Sequence, residues 1–278
     1  MAPATFVVLW SSGFAFVALG LPHTEPLTFL VLRYVLVVAV LAAAFAIVRP
    51  PLPRGRAWLH LAVVGLLLQA AYFGLLNLAI DRIPPATAAL IVCLQPVLVA
   101  LLAPALVGEH VPAARWAGLG LGLIGAVLVI LARSGEGAAD AAGIVLGFGA
   151  LVAITFATLY ESRFGTELHP VSANLVQFTV ALVATTLPAA LLEHLRVEWT
   201  GDLVISLAYL VLANSLLAIT LLLAMVRRGT ASQVSALFFL VPPLAGLIAW
   251  AVLGQALPAL AWVGMVLAAV GVAVATRH

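Results

Sequence analysis

Between its charges, prolines and glycines the chain divides into ten apolar runs, at roughly 4–20, 26–48, 57–80, 85–106, 113–132, 141–164, 171–193, 202–226, 230–253 and 258–276. A hydrocarbon layer is crossed by about 20 apolar helical residues, so each run has about the length of one crossing. Only 8% of the 278 residues are charged, against about 25% in a soluble domain. The surface cannot be mostly water-facing, and the segments left over are too short for a separate soluble domain. The expected fold is an all-α membrane protein of ten transmembrane helices. The first run lacks the basic flank of a secretory signal and reads as a retained helix.

The formal charge of +2 does not describe a nucleic-acid surface. The basic residues are scattered among apolar runs, and all twelve are arginine. Without lysine there is no Schiff-base chemistry and no phosphate-binding G-x-x-x-x-G-K-[ST] loop. Cys93 is the single cysteine, so neither an intramolecular disulfide nor a thiolate metal cluster can form; a small core residue is its simplest reading. The six histidines fall at run ends without metal-ligand spacing, and no cofactor or metal is expected.

Arginine also sets the expected orientation. With the N-terminus cytoplasmic, eight arginines (Arg49, Arg54, Arg56, Arg115, Arg163, Arg227, Arg228 and Arg277) fall inside and three (Arg82, Arg133 and Arg196) outside. Basic residues favour the cytoplasmic side, so both termini are expected there, in a plasma or bacterial inner membrane.

Sliding the chain by 146 positions superimposes Arg82 on Arg228, Pro96 on Pro242, Gly108 on Gly254, Pro112 on Pro258, Trp116 on Trp262, Gly118 on Gly264 and Gly125 on Gly271. A weaker echo, at a shift of 144, places Pro26-Leu27-Thr28 on Pro170-Val171-Ser172. The repeat therefore divides the chain into residues 1–135 and 136–278, five helices each, within one membrane unit. Because five is odd, the second copy enters the membrane from the opposite side. Two inverted repeats related by a two-fold axis in the membrane plane are the expected result, an architecture that makes two gates equivalent by symmetry.

Leu9-Trp10-Ser11-Ser12-Gly13-Phe14, Arg33, Gln95-Pro96, the Gly108-Glu109 turn and the Gly118…Gly125 helix resemble the ten-helix EamA-type members of the drug/metabolite transporter superfamily over nearly the whole chain. The resemblance implies inverted five-helix halves around a cavity and transport, often export, of amino acids or other small metabolites. Gln255 stands where the first copy has the turn glutamate Glu109, so the two turns are not expected to act alike.

Candidate site residues follow from polarity inside apolar runs. Arg33 lies seven residues into its run, about 10 Å deep, where an arginine faces protein or water because lipid costs it at least about 2.5 kcal/mol. It either orients an anionic group such as a substrate carboxylate, or snorkels and ties helices together. Gln69, Phe73 and Asn77 repeat every four residues with Tyr72 beside them, as do Thr87, Ile91 and Gln95. Such faces mark a cavity or a hydrogen-bonded seam. Trp10, Ser11 and Phe14 on the first helix, Tyr160 on the sixth, Gln177 on the seventh and Asn214 on the eighth complete the expected cavity set. Trp10, Phe14 and Tyr72 would suit an aromatic or amphipathic solute, while Trp58, Trp116 and Trp199 read as interfacial anchors. Pro96 and Pro242, placed mid-helix, would kink and act as hinges, or serve only packing.

Gly120-Leu121-Gly122-Leu123-Ile124-Gly125 matches a dinucleotide fingerprint in letters alone, since no strand precedes it. Gly118 with Gly122, and Gly143 with Gly147, instead form small-residue faces for close helix packing. No carboxylate falls near a run centre: Asp81, Glu109, Glu161 and Glu193 lie near ends, with Glu161 read as a solvated helix end. Facilitated, gradient-driven transport is therefore expected over obligate proton symport. The expected partners are a small-molecule substrate, amino acids foremost, and the bilayer, with no nucleic acid and with the monomer as working unit. Carriage of another solute, a channel or scaffold, and a membrane-embedded enzyme are the alternatives; no hydrolase motif or catalytic residue is visible.

Overall fold

The computed structural model describes residues 2–83, 88, 91–132, 140–165, 168–244, 247–248 and 258–276, leaving aside the side chains of Phe14, Ala18 and Ile130. Among the described residues the main helical segments are α1 (Ala2–Gly20), α2 (Pro26–Val48), α3 (Ala57–Ile80), α4 (Gln95–Leu106), α5 (Ala113–Leu131), α6 (Ala141–Phe164), α7 (Pro170–Leu192), α8 (Gly201–Arg228), α9 (Ala231–Leu244) and α10 (Ala259–Ala275). Six, α1, α2, α3, α6, α7 and α8, lie in segments long and apolar enough to cross a membrane. The chain is an all-α, multi-pass membrane protein. Large apolar side chains such as Ile47, Val145, Val183 and Leu191 stand exposed on these helices, as lipid contact requires. Trp58, Trp116 and Trp199 are exposed near helix ends.

The runs at 85–106 and 230–253 are not single regular helices. Within the described residues, a turn at 93–94 precedes α4, and α9 passes from α-helix (Ala231–Ser235) into a 3-10 stretch (Ala236–Leu240). This corrects the mid-helix placement of the prolines. Pro96 is the second residue of α4 and Pro242 follows the 3-10 stretch, so the regular ladder is already interrupted when each proline is reached.

The repeat reappears as irregularity. α3 carries a π-helical stretch at Gly65–Tyr72 and α8 one at Leu210–Ala218; a shift of 146 carries the first onto 211–218. The breaks in α4 and α9 coincide under the same shift. Such distortions need local support and recur at functional places in helices, so their duplication is structural memory of the repeat.

Packing ties the two halves together. The most extensive helix contacts are α5 with α10 and α3 with α6, followed by α1 with α8 and by α7 with α2 and α3, and each joins one half to the other. Between α5 and α10 the spacers are glycines. A Cβ on Gly118 would lie 2.5 Å from the Ala275 nitrogen and 2.8 Å from the Gly271 oxygen, and one on Gly125 2.3 Å from the Ala268 nitrogen and 2.6 Å from the Gly264 oxygen. Ascending α5 means descending α10, so the two helices are antiparallel. The pairings are also reciprocal, since Gly118 and Gly125 are the repeat mates of Gly264 and Gly271, the pattern a two-fold axis produces. The small faces of α6 are likewise used, with Gly143 against Ile83 and Arg82 and Gly147 against Ile91.

At one end of α2 and α7, two carboxylates clamp backbone. Glu193 accepts bonds from the Leu27 and Thr28 amides and the Thr28 hydroxyl, each at 2.7 Å. Glu25 accepts from the Arg196 amide at 2.9 Å and the His194 amide at 3.1 Å, and these bonds hold its carboxyl below the usual carboxylate range.

Candidate functional site

Arg33 lies in the middle of this packing, 1% exposed. Its Nε donates to Ser215 Oγ at 2.7 Å and its Nη2 to Asn214 Oδ1 at 2.8 Å, and its guanidinium carbon stands 4.9 Å from the Phe73 ring centroid. Both oxygens come from the π-helical stretch of α8. Among the described residues no carboxylate forms an ion pair with Arg33. A buried cation held only by neutral dipoles retains its charge for another partner.

That charge borders a cavity of ≈ 30 Å³ lined by Trp10, Gly13, Val17, Arg33, Tyr72, Phe73, Leu76, Asn77, Ile80, Leu210 and Asn214. This volume admits a few waters and no organic solute, so a larger guest requires helix movement. A second cavity of ≈ 30 Å³ shares Trp10, Tyr72 and Leu76 with the first and adds Val92, Cys93, Phe238, Val241 and Pro242. Trp10 is part of the wall the two share and packs against Phe6, Phe73 and Phe238 at centroid distances of 5.3, 5.9 and 5.4 Å.

Six of the expected cavity residues thus line one space: Trp10, Arg33, Tyr72, Phe73, Asn77 and Asn214. Others do not. Gln95 donates to Thr158 at 3.3 Å and Ser235 at 3.1 Å, a seam joining α4, α6 and α9. Tyr160 bonds His60 Nδ1 at 2.7 Å. Gln69, Gln177 and Ser11 are buried, and among the described residues the Gln69 side-chain amide, Gln177 Oε1 and Ser11 Oγ have no protein partner; the Gln69 backbone carbonyl accepts from the Tyr34 hydroxyl. The side chain of Phe14 lies outside the described residues, as does Thr87. Pro242 borders the second cavity, whereas Pro96 is buried and borders neither.

Polarity and depth miss several residues that the structure places here. Gly13 lines the cavity because a Cβ there would stand 2.6 Å from Asn214 Nδ2; its absence of a side chain lets Asn214 reach Arg33. Phe238 and Cys93, which border the second cavity, are further omissions. Glu161 is also corrected: it is 2% exposed, with Oε1 3.5 Å from Arg227 Nε. The end of α6 lies against α8, so water does not surround it.

The EamA-like transporter family model matches this chain twice, over residues 4–131 and 141–277. A probable terminal-alkyne amino-acid exporter of Streptantibioticus cattleyicolor is 29% identical over 277 residues, 98% of this chain and 91% of that protein. The uncharacterized transporter YvbV of Bacillus subtilis is 25% identical over 86% of this chain and 78% of its own length. The uncharacterized inner membrane transporter YedA of Escherichia coli K12 is 24% identical over 93% and 84%. A solved crystal structure, 22% identical with a TM-score of 0.83, covers 99% of this chain and 96% of its own and shares the fold. Two matches of the family model, one to each half, and relatives named as transporters establish that this chain belongs to the EamA-like transporter family and is an integral membrane transporter.

Proposed function

We propose that the chain exports or exchanges small carboxylate-bearing metabolites, amino acids foremost, by alternating access between inverted halves. The observation that carries this reading is Arg33, a buried guanidinium at a cavity wall with no carboxylate partner among the described residues. A substrate carboxylate supplies the missing counter-charge, and Arg33 can present a planar fork to it. Trp10, Tyr72 and Phe73 offer aromatic surface to an apolar or aromatic side chain. The relative named as a probable amino-acid exporter supports the same substrate class. The antiparallel, reciprocal packing of α5 on α10 supports inverted halves. The arginine distribution supports cytoplasmic termini in a plasma or inner membrane.

Transport is driven by the substrate gradient, because among the described residues no carboxylate lines either small cavity where a proton could exchange with substrate. The test is counterflow of labelled amino acids in liposomes containing only this protein, with and without a pH gradient. Saturable counterflow indifferent to the gradient is expected, with Arg33→Lys raising KM about tenfold or more through loss of bonds to a charged group. Counterflow of sugars or nucleosides with none of amino acids would overturn the substrate class. High non-saturating flux would indicate a channel.

A further inference from the structure

A buried ionic cluster lies away from the cavity, where the α4–α5 connection meets the start of α9. Gly108, with φ of +70°, turns the chain after α4 and brings Glu109 against Ser232. Glu109 Oε2 accepts from the Ser232 amide at 3.3 Å, and its Oε1 bonds the Ser232 hydroxyl. Arg115 Nη1 donates to Glu109 at 2.8 Å, Ser232 Oγ at 3.0 Å and Thr230 Oγ1 at 3.4 Å. The Arg115 and Glu109 side chains are only 10% and 8% exposed. The cluster joins the first half of the chain to the second.

Its repeat mates cannot do the same. A shift of 146 places Gln255 opposite Glu109, Ala261 opposite Arg115, Pro84 opposite Thr230 and Ala86 opposite Ser232. None of the four is charged. If the halves were identical, closing one face or the other would have equal free energy, because each state is the other with the halves exchanged. A bias can arise only from residues that differ between halves, and here the difference is a buried ion pair with a hydroxyl on each side of it. Among the described residues Arg115 Nε is buried without a partner, so the cluster is a fastening with one bond unmade.

We propose that Glu109, Arg115, Thr230 and Ser232 form a one-sided latch, which closes the face bearing the α4–α5 and α8–α9 connections in the resting carrier. The inference rests on the inverted-repeat, alternating-access reading above. Opening this face separates Glu109 and Arg115 from Ser232 and Thr230, whereas their repeat mates hold no charge from which the same ion pair could be built at the other face. The residues touch no substrate; they set the balance between the two facing states.

The test uses spin-label pairs at repeat-mate positions in the full-length protein in liposomes, on a Cys93→Ala background. Ala113 with Arg228 reports the latched face, and Ala259 with Arg82 the opposite face; all four are exposed. The closed distance is expected to dominate at the first pair. Glu109→Gln with Arg115→Leu should shift its open-to-closed ratio by about tenfold, the scale of lost bonds to charged groups. Ser232→Ala, which keeps both charges, should shift it in the same direction by less and guards against simple misfolding. Distances that exchange at both faces but ignore all these substitutions would overturn the latch and leave alternating access standing. Distances fixed at both faces in every variant would overturn both.

Discussion

At the scale of single residues, the cavity depends as much on an absent side chain as on the charged one. Gly13 leaves the space in which Asn214 meets Arg33. Gly13→Ala should therefore displace Asn214 and raise KM in counterflow about tenfold, by loss of a bond to a charged group worth about 1.5–3 kcal/mol. Turnover at saturating substrate should change little. An unchanged KM in well-folded protein would show that Asn214 reaches Arg33 by another route. Arg33 was legible in the sequence because a charge about 10 Å inside an apolar run has few tolerable surroundings. Gly13 was not legible in this role, since the reason for it lies on a helix about 200 positions away and glycine also serves ordinary packing. The same limit explains Gln69, Gln95 and Gln177. A polar stripe shows which face of a helix avoids lipid, but whether that face meets a cavity or another helix is decided by the neighbour.

At the scale of elements, the helices are most irregular where the two halves correspond. The π-helical stretches of α3 and α8 place Gln69 in one half and Asn214 and Ser215 in the other, and the breaks before Pro96 and Pro242 fall at matching positions. A break followed by proline concentrates bending at a defined point, because the ring prevents the ladder from closing behind it. The double variant Pro96→Ala, Pro242→Ala, which removes the rings that keep each break open, should slow exchange with substrate affinity retained. Transport at the original rate would remove the hinge role. The prolines and their correspondence were readable from the repeat; the preceding breaks were not, since apolar composition is the same in a regular helix and an interrupted one.

At the scale of the whole molecule, the repeat describes ancestry better than it describes folding units. α5 lies on α10, α2 on α7, α3 on α6 and α1 on α8, so a half by itself would expose to lipid the glycine faces and buried polar groups that the other half covers. Residues 1–135 expressed alone should be degraded or aggregate, and coexpression with 136–278 should restore a protein that purifies as one complex. A stable, monodisperse first half would contradict this. Apolar run length made the membrane class legible, and the odd number of runs per copy is what carries the expectation of inversion. The interleaving was beyond the sequence, because symmetry between copies does not say whether equivalent helices pair within a half or across the two.

Trp10 borders both cavities with three aromatic rings against it. In optical terms this part of the shared wall is a fluorophore. A guest entering from either side must alter the polarity or the quenching felt by this indole, and with the other five tryptophans replaced by phenylalanine its emission would report occupancy without a label. Quenching and a blue shift are separate readouts of the same ring, so a residue bordering both cavities is also the place from which both can be watched.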